Sequence, residues 1–182
     1  MYRILSLALL ISLSFAAQAK VDVTSVQNPR LGPVLAVKIT EDIAPGDYEA
    51  LLKGLRAHPG KFARKILLLD TIGGSVVEAT RMGRLLREYG FDALVPDSGL
   101  CQGSCIYLLA AGKQRTVRGP VGLHRPYFPG GDSARDLSTG GDPTRYLRDM
   151  GVAPSLAQDI QQIPPHKMRV LSAADLTRYR LN

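Results

Sequence analysis

The sequence predicts an α/β fold built as one domain, with strands and helices alternating along the chain. Three observations predict it. A continuous apolar run from Lys65 to Asp70 has the composition of a parallel strand covered on both faces. Small-residue turns follow such runs and open into helices, at Gly73-Gly74-Ser75 and around Gly103-Ser104. The strand-then-helix order repeats from Val34 onward, with no internal repeat and no linker long enough to divide the chain.

The first element is not expected to belong to the fold. Arg3 supplies a positive start, Ile4 to Phe15 is an apolar stretch of twelve residues, and Ala17-Gln18-Ala19 has the small-x-small form of a cleavage site. A membrane span needs about 20 apolar residues, so residues 1–19 read as a secretory signal peptide. The domain then occupies 20–182, exported to the periplasm or beyond, and no later segment is long and apolar enough to span a bilayer.

Val34 to Thr40 is a β-branched run and reads as a strand. Pro45 to Ala57 reads as a helix, with Tyr48, Leu51, Leu52 and Leu55 on one face and Pro45 near its start. Pro59-Gly60 ends it. The strand Lys65–Asp70 follows, with Ile66 to Leu69 expected to be buried on both faces. A helix runs from Val76 to about Glu88; Val76, Ala79, Gly83 and Leu86 form its inner stripe, Glu78, Arg81, Arg84 and Arg87 are expected to face out, and Gly90 terminates it. Phe91 to Val95 is a strand, and Ser104 to Ala111 a helix too apolar all round to lie on a surface. Arg115 to Val117 and Val121 to His124 are strands. A loop rich in Gly, Pro, Asp and Ser spans Pro129 to Pro143. Helices follow at Thr144–Met150, Ser155–Gln162 and Ala173–Tyr179, the last capped by Ser172.

The full chain carries a net charge of +7; without residues 1–19 it holds 22 basic and 16 acidic residues. The basic residues are scattered, and no aromatic residues are interleaved with them, so nucleic acid is not an expected partner. The two cysteines, Cys101 and Cys105, would meet oxidising conditions after export, where a disulfide is the default. Their spacing brings the Cα atoms within bridging distance if a turn lies between them. Two thiols without a second pair, and histidines only at 58, 124 and 166, give no metal site.

The chemistry concentrates between Leu67 and Tyr127. Gly73-Gly74, where a strand ends and a helix begins, lets backbone N–H groups face a cleft; it is also what any tight strand-to-helix turn requires. Ser104 at the start of a buried helix is placed as a nucleophile, and equally as a cap. His124 at a strand end is placed as a general base, and equally as a structural histidine. No phosphate-loop or dinucleotide motif is present, and no cofactor is implied.

Taken in order, strand–Gly-Gly–helix, strand–small turn–helix ending in Ala110-Ala111-Gly112, then strand–His-x-Pro resembles the proteolytic subunit of the Clp protease. It resembles more closely that subunit's exported bacterial relatives, which carry a Cys-x-Ser-x-Cys turn. The resemblance covers about 34–182 and implies a crotonase-like ββα spiral of the α/β class. It implies oxyanion donors at Gly73 and Gly74 and a catalytic base at His124. Two departures stand out. With the cysteines and Ala110-Ala111-Gly112 setting the register, the family serine falls on Gly103; a one-residue deletion would instead make Ser104 the nucleophile. The family's acid falls on Met168 or Lys167, with Asp159 and Asp175 to either side. Without that acid, His124 is expected to have no fixed tautomer.

Two functions follow as expectations. One is an exported serine hydrolase or peptidase with an incomplete or rearranged triad, acting on small or unfolded peptides. The other is an inactive relative whose cleft binds a peptide or protein. Export argues against acyl-coenzyme A chemistry. A homo-oligomer is compatible with either.

Overall fold

Residues 20–126 and 142–182 are described by a computed structural model of the chain. The expected signal peptide, Tyr127 and most of the Gly/Pro-rich loop lie outside them. The fold is mixed α/β. Among the described residues eight strands and six helices run in the order β1 (Lys20–Asn28), β2 (Gly32–Ile43), α1 (Asp47–Ala57), β3 (Arg64–Gly74), α2 (Val76–Tyr89), β4 (Asp92–Val95), β5 (Cys101–Gln102), α3 (Cys105–Ala111), β6 (Arg115–Val117), β7 (Val121–Leu123), α4 (Pro143–Asp149), α5 (Ser155–Gln162), β8 (Arg169–Val170) and α6 (Ala173–Tyr179).

The strands form one mixed sheet ordered β1-β2-β3-β5-β7-β8, with β4 also pairing β3 and β6 joined to β4. β1 and β8 pair antiparallel with their neighbours; the other pairings are parallel. Parallel strands need helical crossovers, and the strand–helix alternation of the sequence supplies them. β1, β5 and β8 carry no separate signal in the sequence. β1 is largely exposed, and β5 and β8 are two residues each.

Burial along β3 alternates rather than running continuously. Leu67 and Leu69 are fully buried, while Ile66 and Leu68 are only half-buried. The expectation of two covered faces is therefore corrected: the run is apolar, but one face packs into the core with Val37 and Ile39 of β2, and the other sits beside exposed Lys38.

The helices α2 and α6 start at side chains that cap them. Ser75 caps α2 by accepting from Glu78 N, and Gly90 closes it in a left-handed conformation. Ser172 and Asp175 form a reciprocal capping box on α6. α3 is buried along its whole length, as its composition requires.

The carbonyls at the end of α3 are met by two arginines. Arg115 Nη2 reaches Ala110 O at 2.7 Å and Met150 O at 2.5 Å, and its Nη1 reaches Arg180 O at 2.8 Å. Arg87 Nη1 donates to Gly112 O at 2.8 Å. A guanidinium satisfies several orphan carbonyls at once and complements the negative end of the helix dipole. We expect Arg115→Met to lower stability by about 3 kcal/mol, since charged hydrogen bonds contribute about 1.5–3 kcal/mol each and the carbonyls would be left buried. Urea denaturation would measure it, and a loss below about 1 kcal/mol would contradict this account.

Candidate functional site

The site lies where β3, β5 and β7 end. These strands run parallel, so their carboxyl ends open on the same side, where ligands bind in open α/β sheets. β3 ends in Gly73-Gly74, β5 leads into Gly103-Ser104, and β7 leads into His124. The structure thus brings together residues as far apart in sequence as Gly73 and His124.

The turn after β5 is held from several directions. Cys101 N donates to Pro120 O and Gly103 N donates to Gly122 O, each at 3.0 Å. Cys101 and Cys105 are disulfide-bonded with Cα atoms 5.3 Å apart. The chain-entropy account gives about 2 kcal/mol for so short a loop, so the bond chiefly fixes the turn between its ends. Mass spectrometry without reductant is expected to find no alkylatable thiol; two free thiols in protein purified without reductant would contradict the bridge.

Gly73 packs directly against this turn. A Cβ there would fall 2.6 Å from Gln102 O and 2.8 Å from Ser104 N, so no larger residue fits. The Gly73 N–H donates to Thr71 Oγ1 at 3.1 Å. Thr71 Oγ1 in turn donates to Glu41 O. One of the two expected oxyanion donors therefore has an internal acceptor.

Gly103 adopts φ +54, the left-handed region that glycine enters without cost. A Cβ on it would lie 2.8 Å from His124 Nε2. Ser104, one residue later, has helical backbone angles and makes no capping bond. Its hydroxyl is buried and has no hydrogen-bond partner among the described residues, His124 included. Successive residues at a helix start point about 100° apart. The His124 imidazole thus faces position 103, and the hydroxyl stands at 104.

His124 is not free to choose its tautomer. Its Nδ1 meets Arg125 O at 2.9 Å. A carbonyl only accepts, so Nδ1 carries a proton, and in the neutral ring Nε2 is the nitrogen with the lone pair. The expectation of an unfixed tautomer is corrected by this backbone contact. The loop beyond is anchored by Arg125 N donating to Ile163 O at 3.0 Å.

Continuing the antiparallel β7–β8 register by one residue sets Met168 opposite His124. A thioether cannot orient an imidazole as a carboxylate does. The flanking acids are engaged elsewhere: Asp159 with Tyr179 and Arg178, and Asp175 with Ser172, Arg169 and Arg178.

A cleft of about 620 Å³ opens over these residues. Gly74, Gly103, Ser104 and His124 line it, with Val77, Ile106 and Ile160 among its apolar walls. Tyr107 also lines it, and burial pushes its phenol up to about 12.

Glu78 lines the cleft too, and here the helical-face expectation is corrected. Glu78 is buried, not outward-facing. Its Oε2 accepts from Tyr48 N at 2.9 Å and its Oε1 from Arg81 Nη1 at 2.8 Å. Arg81 also pairs with Glu49 at 3.0 Å and stacks over the Tyr48 ring. Nearby Asp47 is buried as well; burial pushes its carboxyl above its ordinary value, Ala44 N–H opposes that, and Glu78 adds to it. A local helical pattern could not show this, because Tyr48 lies thirty residues away.

Among the described residues no helix is long and apolar enough to cross a membrane, and no group of three or more His, Cys, Asp or Glu is placed to hold a metal. Compared with protein-family models and with curated proteins, the sequence matches none.

Proposed function

We propose that this is an exported protein of the Clp-peptidase type, with a crotonase-like spiral, whose cleft binds a peptide segment without forming an acyl-enzyme. The observation that carries the reading is the pairing of His124 with Gly103. The base faces a position that has no hydroxyl, and Ser104 makes no bond to it. Reacting atoms must stand about 3–3.5 Å apart and aligned, so a serine displaced by one residue does not serve. Supporting the binding role are the half-apolar cleft and the engaged Gly73 N–H, which weakens oxyanion stabilisation more than it weakens binding.

Two measurements test it. A fluorophosphonate probe is expected to label neither wild type nor Ser104→Ala. Strong labelling lost in both Ser104→Ala and His124→Ala would overturn the reading and make Ser104 a working nucleophile. Titration calorimetry with short unstructured peptides is expected to show binding, weakened at least about tenfold by Val77→Trp, which fills the cleft from a half-exposed position.

A further inference from the structure

We propose that the end of the fold opposite the cleft docks on an anionic phospholipid bilayer. This goes beyond the peptide-binding reading and does not depend on it.

The parallel strands define two ends. Their carboxyl ends meet at the cleft, so β2, β3, β4 and β6 all begin at the other end. The turn from β1 to β2, the last turns of α1 and α2 and the starts of β3 and β6 gather there. Six cations stand on them: Arg30, Arg56, Lys61, Arg64, Lys65 and Lys113. The carboxylates among them are Glu88 and Asp92, and Asp92 lies 3.7 Å from Arg64. The end with the cleft is charged the other way. Glu41, Asp42, Asp47, Glu49 and Glu78 lie at the end of β2 and in the first turns of α1 and α2, and Glu49 and Glu78 share Arg81. A chain polarised like this meets an anionic surface with its basic end first.

The basic end has a seat for a headgroup. A recess of about 420 Å³ is lined by Phe62, Arg64, Lys65, Tyr89, Asp92 and Lys113. Lys65 Nζ donates to Tyr89 O at 2.8 Å and keeps two further donors. The Lys113 side chain is exposed, and its ammonium has no hydrogen bond or ion pair among the described residues. A phosphodiester brings acceptors and a negative charge, which both lysines lack. Apolar side chains stand at the same end: Leu31 is 51% exposed and Tyr89 39%. A leucine on a turn and a tyrosine ring suit the boundary between headgroups and acyl chains, a layer that a soluble polyanion does not offer.

Cosedimentation of the full chain with vesicles tests this, with phosphatidylcholine alone and with phosphatidylcholine mixed with phosphatidylglycerol. Binding to the mixed vesicles is expected to be at least about tenfold tighter at low salt, since each cation near such a surface adds about fivefold. Lys61→Glu together with Lys113→Glu is expected to remove that preference. Lys38→Glu together with Arg118→Glu makes the same change of net charge away from the basic end, and is expected to lower the preference less than about threefold. Equal loss in both pairs would overturn the location. Equal binding to the two kinds of vesicle, or binding to neither, would overturn the inference and leave the peptide-binding reading untouched. The chain has no tryptophan, so Leu31→Trp places a single reporter at the basic end and Ile72→Trp one at the cleft rim. Emission of the first is expected to shift to shorter wavelength on mixed vesicles, and that of the second to stay. The reverse, or no shift in Leu31→Trp, would overturn the orientation.

Discussion

Leu69→Asp is expected to abolish soluble folding, whereas Leu68→Asp is expected to yield folded protein. The two positions are adjacent on β3, but their side chains point to opposite faces. Leu69 is fully buried in the core with Leu67, Val37 and Ile39. Removing a buried leucine costs about 2–5 kcal/mol before any charge is considered. Burying an unpaired carboxylate adds several more. Together these match or exceed a typical domain stability of about 5–15 kcal/mol. Leu68 is half-buried and lies directly across from exposed Lys38 on β2. An aspartate there keeps its solvent and gains a cationic neighbour contributing up to about 1 kcal/mol. Yield and thermal melting of both variants provide the measurement. Equal loss at both positions would mean that the second face is covered as fully as the first.

That contrast marks what local pattern conveys. Composition of the β3 run identified a strand at the centre of the sheet, because only apolar residues tolerate that place. It did not tell a strand covered on both faces from one covered mainly on one, since Ile66 and Leu68 are equally apolar in either case. Helices were legible where periodicity, caps and terminators agreed, as in α2 between Ser75 and Gly90. The strands that went unread have little internal signal. β5 exists because Thr71 N reaches Leu100 O and Cys101 N reaches Pro120 O, contacts made across the fold. The site divided in the same way. Gly73, Gly74, Gly103, Ser104 and His124 were legible from their order along the chain. The partners that decide what those residues do were not. Arg125 O fixes the His124 ring, Thr71 Oγ1 engages Gly73, and Tyr48 N draws Glu78 inward. Each is a backbone or long-range contact that no side-chain pattern encodes.

Gly103→Ser is expected to create slow fluorophosphonate labelling that wild type lacks. The new Cβ would stand 2.8 Å from His124 Nε2, so the imidazole must shift slightly, which the tip of a side chain can do. A non-glycine residue at φ +54 adds about 1–2 kcal/mol of strain, within what the disulfide-held turn can bear. The serine hydroxyl would then lie beside the lone pair of Nε2, whose tautomer the Arg125 carbonyl already sets for accepting a proton. Rate remains limited because no carboxylate stabilises the imidazolium that forms once Nε2 takes the proton. Met168 is the place to supply it. It lies opposite His124 by register and is 41% exposed, so an aspartate there need not be buried. Adding Met168→Asp to Gly103→Ser is expected to speed labelling at least about tenfold, and His124→Ala in either background to remove it. Folded Gly103→Ser protein that never labels, alone or with Met168→Asp, would show that position 103 is not aligned with the base, and the pairing of Gly103 with His124 would lose its meaning as a vacated nucleophile site.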